Sequence, residues 1–277
     1  MGTALAREVA ESLDCPPELL PEAVRLFAGL DALGSEPETL ASAMRVWGDE
    51  LKDKMFLELG CGFGAPGRAL ARECGVQVLG VDAMSPFIDE ARRRADAAGV
   101  ADRCRYRLDD LRRMLSAEGR FDGVLWLAMG QRLGDLRDTL RQLRRLVKPG
   151  GWVVIQHDSR QNDGSNDPSV VRAALTAFGD ELAREVSVPH WQVREADRAR
   201  HRVLREAGES IASEDPFRAA MVMLFLERQE RAASEGPKRE TTMWVLRRRE
   251  SAQAARAPCT AADVRPRVPR EWPTRPG

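Results

Sequence analysis

Short apolar runs recur at intervals through the central part of the chain. They cover residues 56–59, 76–81, 104–108, 121–127 and 152–156, and Arg105 and Arg107 make the third of them the least apolar. Continuous apolar runs of this length are typical of parallel strands that are buried on both faces. The pattern therefore predicts an α/β fold built around a buried parallel sheet.

A glycine-rich turn follows the first apolar run. Gly60, Gly62 and Gly64 stand at alternate positions, and Pro66 lies near the start of a predicted helix over 65–73. Glycine lets a backbone turn tightly and come close to a ligand. Proline is tolerated in a first helical turn because its missing N–H costs nothing there. A strand, a glycine turn and a helix in this order predict a nucleotide-binding unit.

Glu58 helps to distinguish which nucleotide this unit binds. Residues 62–67 fit the dinucleotide pattern G-x-G-x-x-G, which alone is a weak signal. A pyrophosphate needs a helix N-terminus free of negative charge, and a carboxylate at position 58 would repel it. S-adenosylmethionine has an α-amino group, a sulfonium and no phosphate. The complete pattern E-x-G-x-G-x-G therefore favours S-adenosylmethionine over a dinucleotide.

Acidic residues end the next two strands. Asp82 follows the second apolar run directly, and Asp109 and Asp110 follow the third. A carboxylate at the end of the second strand can accept hydrogen bonds from both hydroxyls of a ribose, which either cofactor contains. We expect Asp82 to lie at the open edge of the sheet with no buried partner.

These segments together resemble the class I S-adenosylmethionine-dependent methyltransferases. The matching stretches are LELGCGFG, GVDAMS, RLDD, FDGVLWLA and LVKPGGWVVI, in the family's order across residues 54–157. The resemblance implies a doubly wound, mostly parallel sheet of seven strands, the Rossmann-like methyltransferase fold, with the last strand antiparallel. Residues 241–248 fit that last strand, and residues 208–213 are the candidate for the sixth.

The resemblance also implies a set of cofactor contacts. Glu58 is expected to hold the methionine amino end, Asp82 the ribose, and Asp110 the adenine amino group. Asp109 stands where the family often has glycine, so the choice between Asp109 and Asp110 stays open. The full set of residues expected to contact S-adenosylmethionine is Glu58, Gly60, Cys61, Gly62, Asp82, Ala83, Asp109, Asp110, Leu111 and Leu127.

The remaining segments suggest three regions. Residues 1–53 carry apolar positions at helical spacing and predict a helical N-terminal cap, which either pads one edge of the sheet or covers the cofactor. Residues 54–250 form the predicted methyltransferase domain, with a lid helix near 216–234. Residues 251–277 are rich in proline and arginine and predict a disordered tail.

Charge and cysteine content exclude several classes of partner. The 43 basic and 43 acidic residues cancel, which gives no general attraction to nucleic acid or to an anionic membrane. The longest apolar run is too short to span a bilayer, and the N-terminus lacks the pattern of a signal peptide. The 5 cysteines are scattered, with no C-x-x-C, which suits a reducing cytoplasm and argues against a metal site.

The candidate catalytic residue is His157, which follows the fifth apolar run. It is expected at the ligand-binding edge of the sheet, where it either acts as a general base or merely caps the end of the strand. The favoured function is methyl transfer from S-adenosylmethionine to a small-molecule acceptor in the cytoplasm. The alternatives are an NAD(P)-dependent oxidoreductase and a non-catalytic nucleotide-binding module.

Overall fold

A computed structural model describes residues 3–116, 118–160, 167–235 and 239–249. Seven strands form one sheet in the order β3-β2-β1-β4-β5-β7-β6. They are β1 (Met55–Leu59), β2 (Gln77–Asp82), β3 (Cys104–Leu108), β4 (Phe121–Trp126), β5 (Val147–Arg160), β6 (Glu181–Val188) and β7 (Arg239–Arg247). Only β7 runs antiparallel to its neighbours among these strands. The predicted α/β fold, with seven mostly parallel strands, is confirmed.

Helices cover both faces of the sheet. They are α1 (Thr3–Ser12), α2 (Ala23–Phe27), α3 (Pro37–Met44), α4 (Ala65–Cys74), α5 (Ser85–Ala97), α6 (Leu111–Met114), α7 (Leu136–Leu146), α8 (Pro168–Thr176), α9 (His190–Glu214) and α10 (Pro216–Glu235). Two 3₁₀ helices, Pro17–Glu22 and Arg45–Leu51, join the N-terminal ones.

The central strand β1 is buried because its side chains enter a core on each face. Phe56 joins one apolar cluster with α3 and α4, and Leu57 joins another with α7. Leu57 pairs in register with Leu79 of β2 and with Val124 of β4. The carboxyl ends of these strands therefore lie side by side, where open α/β sheets bind ligands.

The sixth strand is not where the sequence placed it. Residues 208–213 lie inside α9, and the sixth strand along the chain is β6, Glu181–Val188. A methyl group added at Gly208 would lie 2.8 Å from a methyl carbon of Leu226, so this glycine lets α9 and α10 pack closely. Strand β6 is at the edge of the sheet and half-exposed, so its sequence lacks an apolar run.

The N-terminal helices share a third apolar cluster with α9 and α10. Phe27 of α2 meets Phe225 of α10 edge to face, with ring centroids 6.4 Å apart. Arg25 forms an ion pair of 2.6 Å with Glu214 at the end of α9. The predicted tail, residues 251–277, lies outside the described residues.

Candidate active site

A cavity opens along the carboxyl ends of β1, β2, β3 and β4. Every residue expected from the sequence to contact the cofactor lines it: Glu58, Gly60, Cys61, Gly62, Asp82, Ala83, Asp109, Asp110, Leu111 and Leu127. Helix α1 covers one side with Leu5, Glu8 and Val9. The segment 31–35 covers another, and Leu33 lies over the glycine turn.

The glycine turn adopts a conformation that other residues rarely take. Gly60, Gly62 and Gly64 have φ angles of 68°, 51° and 71°. The backbone N–H groups of Gly60 and Cys61 donate to Val81 O at 2.9 and 3.0 Å, which ties the turn to β2. A methyl group added at Gly62 would lie 3.0 Å from Leu33 Cδ1. The turn therefore needs glycine both for its left-handed backbone and for the close cover above it.

Glu58 is buried beneath this turn. Its carboxyl Oε2 accepts a hydrogen bond from Gly67 N at 3.2 Å, and the side chain is almost wholly removed from solvent. Burial raises the pKa of Glu58 to about 8, although Arg68 and the Gly67 N–H oppose the shift. This shift favours the protonated form of Glu58 near neutral pH.

Gly67→Ala is expected to destabilise the protein. An added methyl group would lie 2.6 Å from Glu58 Oε2 and 2.8 Å from Val78 Cγ1, so helix α4 could not keep its distance from β1 and β2. We expect the free energy of unfolding to fall by about 1–3 kcal/mol, as for other overpacked cores. Urea denaturation checks this. A gain of about 0.4–1 kcal/mol, as in an uncrowded helix, would contradict the packing.

Asp82 binds the backbone on both sides of its strand end. Oδ2 accepts from Gly62 N and Oδ1 from Met84 N, each at 2.9 Å. Burial raises the pKa of Asp82, and the backbone hydrogen bonds from Met84, Gly62 and Ala83 oppose the shift. The expectation that Asp82 has no buried partner is thus wrong. The two well-aligned bonds come from Gly62 N and Met84 N, and a carboxylate has about four acceptor positions, so acceptor capacity remains for a ligand.

The two acids after β3 differ in their surroundings. Asp109 forms ion pairs with Arg107 at 2.8 Å and with Arg113 at 3.6 Å. Asp110 caps α6, where its Oδ1 accepts from Arg112 N at 2.9 Å. Both line the cavity, so the choice between them for the adenine amino group stays open.

His157 lies away from the cavity. Strand β5 continues to Arg160, so His157 is inside the strand rather than after it, and it pairs in register with Thr242. Its ring stacks on Trp244 with centroids 5.5 Å apart, and it is not among the lining residues. The structure therefore gives no geometric support to His157 as a general base. The antiparallel partner β7 extends β5 beyond its apolar run.

Several lining residues were not predicted from the sequence. They come from α1, from the segment 31–35 and from the loop after β4, where Arg132 lies. No motif identifies them, because the place of the first two groups depends on how the N-terminal helices fold over the sheet and that of Arg132 on the path of the loop. Helix α10, predicted as a lid, packs on α9 and on the N-terminal helices, and none of its residues lines the cavity.

No helix of the described ranges has the length and apolar character needed to cross a bilayer.

The strand order, the glycine turn and the cavity at the strand ends define a Rossmann-like domain of the methyltransferase type. Residues 56–151 match the family model described as a methyltransferase domain. Within these residues the chain is thus similar to the class I S-adenosylmethionine-dependent methyltransferases, the family that its sequence resembles.

Curated relatives match parts of the chain. Methyltransferase GfsG of Streptomyces halstedii is 27% identical over 164 residues, which are 56% of this chain and 59% of that protein. The 2-methyl-6-phytyl-1,4-hydroquinone methyltransferase of Synechocystis is 32% identical over 43% of this chain and 39% of its own. The chain thus spans less than two thirds of the length of these relatives.

Solved structures match more of it. A methyltransferase from Geobacter sulfurreducens, in complex with S-adenosyl-L-homocysteine, is similar with a TM-score of 0.64 and 19% identity. The match covers 82% of this chain and 97% of that one. At this identity the likeness shows a shared fold.

Proposed function

We propose that the protein transfers a methyl group from S-adenosylmethionine to a small-molecule acceptor. The observation that carries the proposal is the carboxylate of Asp82, which lies in the wall of the cavity at the end of β2. The two hydroxyl donors of a ribose match the two oxygens of this carboxylate. Asp110 and Leu111 lie beside this position, after the neighbouring strand, and are assigned to the adenine.

The occupied backbone donors of the glycine turn support an adenosyl ligand without phosphates. A pyrophosphate is usually bound by N–H groups at such a turn and at the following helix N-terminus. Here Gly62 N donates to Asp82, Gly64 N to Cys61 O at 2.7 Å, and Gly67 N to Glu58. Pro66 has no N–H at all. Few donors therefore remain for a phosphate, which weighs against the NAD(P)-dependent alternative.

The remaining residues have distinct proposed roles. Glu58 would accept a hydrogen bond from the cofactor's amino group, and Gly60 and Gly62 would admit the cofactor close to the backbone. Helix α1 and the segment 31–35 would exclude water from the reacting centre. The cofactor supplies an activated methyl group for direct displacement, so the protein mainly has to align the acceptor.

The acceptor is proposed only as a class. The relatives named above include an enzyme of quinol methylation, and apolar side chains such as Leu33, Leu127 and Met129 line the cavity. Both observations suit a small organic acceptor. A cytoplasmic location stays a prediction, resting on the scattered cysteines, of which Cys15, Cys61, Cys74 and Cys104 are free thiols.

Calorimetric titration should show binding of S-adenosylhomocysteine and no binding of NADH, because the phosphate donors are already engaged. Binding of NADH alone would overturn the cofactor assignment. A screen of small acceptors with S-adenosylmethionine should then release S-adenosylhomocysteine in step with a methylated product. Cofactor binding with no turnover of any acceptor would favour the non-catalytic module.

A further inference from the structure

The cavity holds more acidic groups than basic ones, and most of its charged groups have partners. Glu8 of α1 pairs with Arg112 at 2.6 Å, and Asp31 pairs with Arg68. Arg112 also reaches Asp110 at 3.4 Å. In these ion pairs the charges of Glu8, Asp31 and Asp110 are balanced by arginines, so they attract a charged ligand only weakly.

Arg132 is the exception. It lines the same cavity, is partly buried, and makes no ion pair with any carboxylate in the part of the chain that the structure describes. A guanidinium cannot lose its proton in a protein, so this positive charge is permanent. A cation that faces a cavity without a partner favours an anionic ligand group there.

The loop that carries Arg132 is held on both sides. Before it, the indole Nε1 of Trp126 donates to Gly130 O at 3.2 Å. After it, the amide Nε2 of Gln142 on α7 donates to Leu133 O at 2.8 Å. These hydrogen bonds fix the backbone on either side of Arg132 and so reduce the entropy that binding would cost.

The position along the sheet indicates which part of the cofactor would meet this loop. The strands lie in the order β3, β2, β1, β4. Asp110 follows β3, Asp82 ends β2, and the loop that carries Arg132 follows β4. Three strand spacings separate β3 from β4, about 14 Å. With the adenine assigned after β3 and the ribose at β2, the amino-acid end extends toward β1 and β4. Met129, in the same loop, packs against Gly60.

We propose that Arg132 binds the α-carboxylate of the cofactor, while Glu58 serves the α-amino group. The amino-acid end of the cofactor carries a negative carboxylate and a positive ammonium group. In this assignment Arg132 binds the first and Glu58 the second. A guanidinium and a carboxylate can form two parallel hydrogen bonds in one plane, so the pair fixes the orientation of the ligand and also neutralises its charge. This assignment rests on the proposed function and adds a binding residue to it.

The test compares two ligands on two variants. One ligand is S-adenosylhomocysteine, and the other is its analogue that lacks only the α-carboxylate. Arg132→Gln should weaken binding of the first on the order of tenfold to a hundredfold, since a charge-assisted pair is lost. Binding of the decarboxylated analogue should change less than about threefold. The affinity of Arg132→Lys for S-adenosylhomocysteine should lie between those of the wild type and Arg132→Gln, because lysine keeps the charge but cannot form the bidentate pair.

The matched control is Arg141→Gln on the exposed face of α7, where Arg141 pairs with Asp138 at 2.8 Å outside the cavity. It should bind both ligands like the wild type. Equal losses for both ligands in Arg132→Gln, or no loss for either, would overturn the assignment and leave the proposed function standing. A wild-type protein that binds neither ligand would overturn both.

Discussion

Asp82→Ala is expected to weaken binding of S-adenosylhomocysteine by at least about a hundredfold. In the proposed site each carboxylate oxygen accepts one hydrogen bond from a ribose hydroxyl, and each charge-assisted bond is worth roughly 1.5–3 kcal/mol. About 1.4 kcal/mol corresponds to one decade of affinity. Asp82→Asn keeps one acceptor oxygen and should lose about tenfold to a hundredfold. Calorimetric titration of both variants measures these losses.

The same substitution should also lower stability, because Asp82 holds the backbone N–H groups of Gly62 and Met84. Removing the carboxylate leaves both donors without their partner, at roughly 1–3 kcal/mol for each group that stays buried. The affinities should therefore be compared at a temperature well below the melting temperature of the variant. Thermal unfolding without ligand gives that temperature.

Asp122 provides the matched control. Its Oδ2 likewise accepts a backbone hydrogen bond, from Met55 N at 2.8 Å, but it lies at the start of β4 and outside the cavity. Asp122→Ala should thus lower stability and leave cofactor affinity unchanged. If Asp82→Ala behaved in the same way, the ribose assignment would be wrong and Asp82 would be a purely structural residue.

The central strands and the proposed cofactor contacts were predictable from the sequence for one physical reason. Strands β1, β2 and β4 are buried on both faces, so they appear as apolar runs, and parallel strands bring their ends to one edge. Glu58 and Asp82 stand at those ends, so their proximity follows from the topology. Nothing else about the tertiary structure is needed to place them together.

The parts that the sequence did not predict depend on packing between distant segments. Strand β6 is an edge strand with polar side chains, and Gly208 lies inside α9 where α10 packs closely against it, rather than in a strand. His157 is drawn into β5 by pairing with β7, which lies far along the chain. Arg132 stands in a loop without a motif, and only the fold brings it to the cavity.

The burial of Glu58 also produces a dependence of stability on pH. Its pKa rises from 4.5 to about 8 on folding, so the folded protein holds a proton that the unfolded chain releases over this range. The free energy of unfolding should therefore decrease as pH rises from about 4.5 to 8, by up to about 1.4 kcal/mol per pH unit. Asp82, whose pKa burial also raises, adds a change of the same sign that begins at lower pH.

Glu58→Gln isolates this effect. The amide keeps an oxygen that can accept from Gly67 N, and it does not titrate, so the difference in unfolding free energy between variant and wild type should grow in favour of the variant up to pH 8. Urea denaturation at pH 5, 6, 7 and 8 measures that difference. A constant difference over this range would show that Glu58 keeps an ordinary pKa when folded.

Cofactor affinity should also depend on the protonation of Glu58, but it should increase as pH rises, whereas stability decreases. An ammonium beside Glu58 favours the ionised carboxylate, so binding of S-adenosylhomocysteine at pH 6 to 7 should release a proton from the wild type. Affinity should then rise with pH up to about 8, and the binding enthalpy should depend on the ionisation enthalpy of the buffer. Glu58→Gln should bind more weakly and show neither effect. Proton release that persists in the variant would mean that another group supplies the proton, and Glu58 would lose its assigned place beside the amino group.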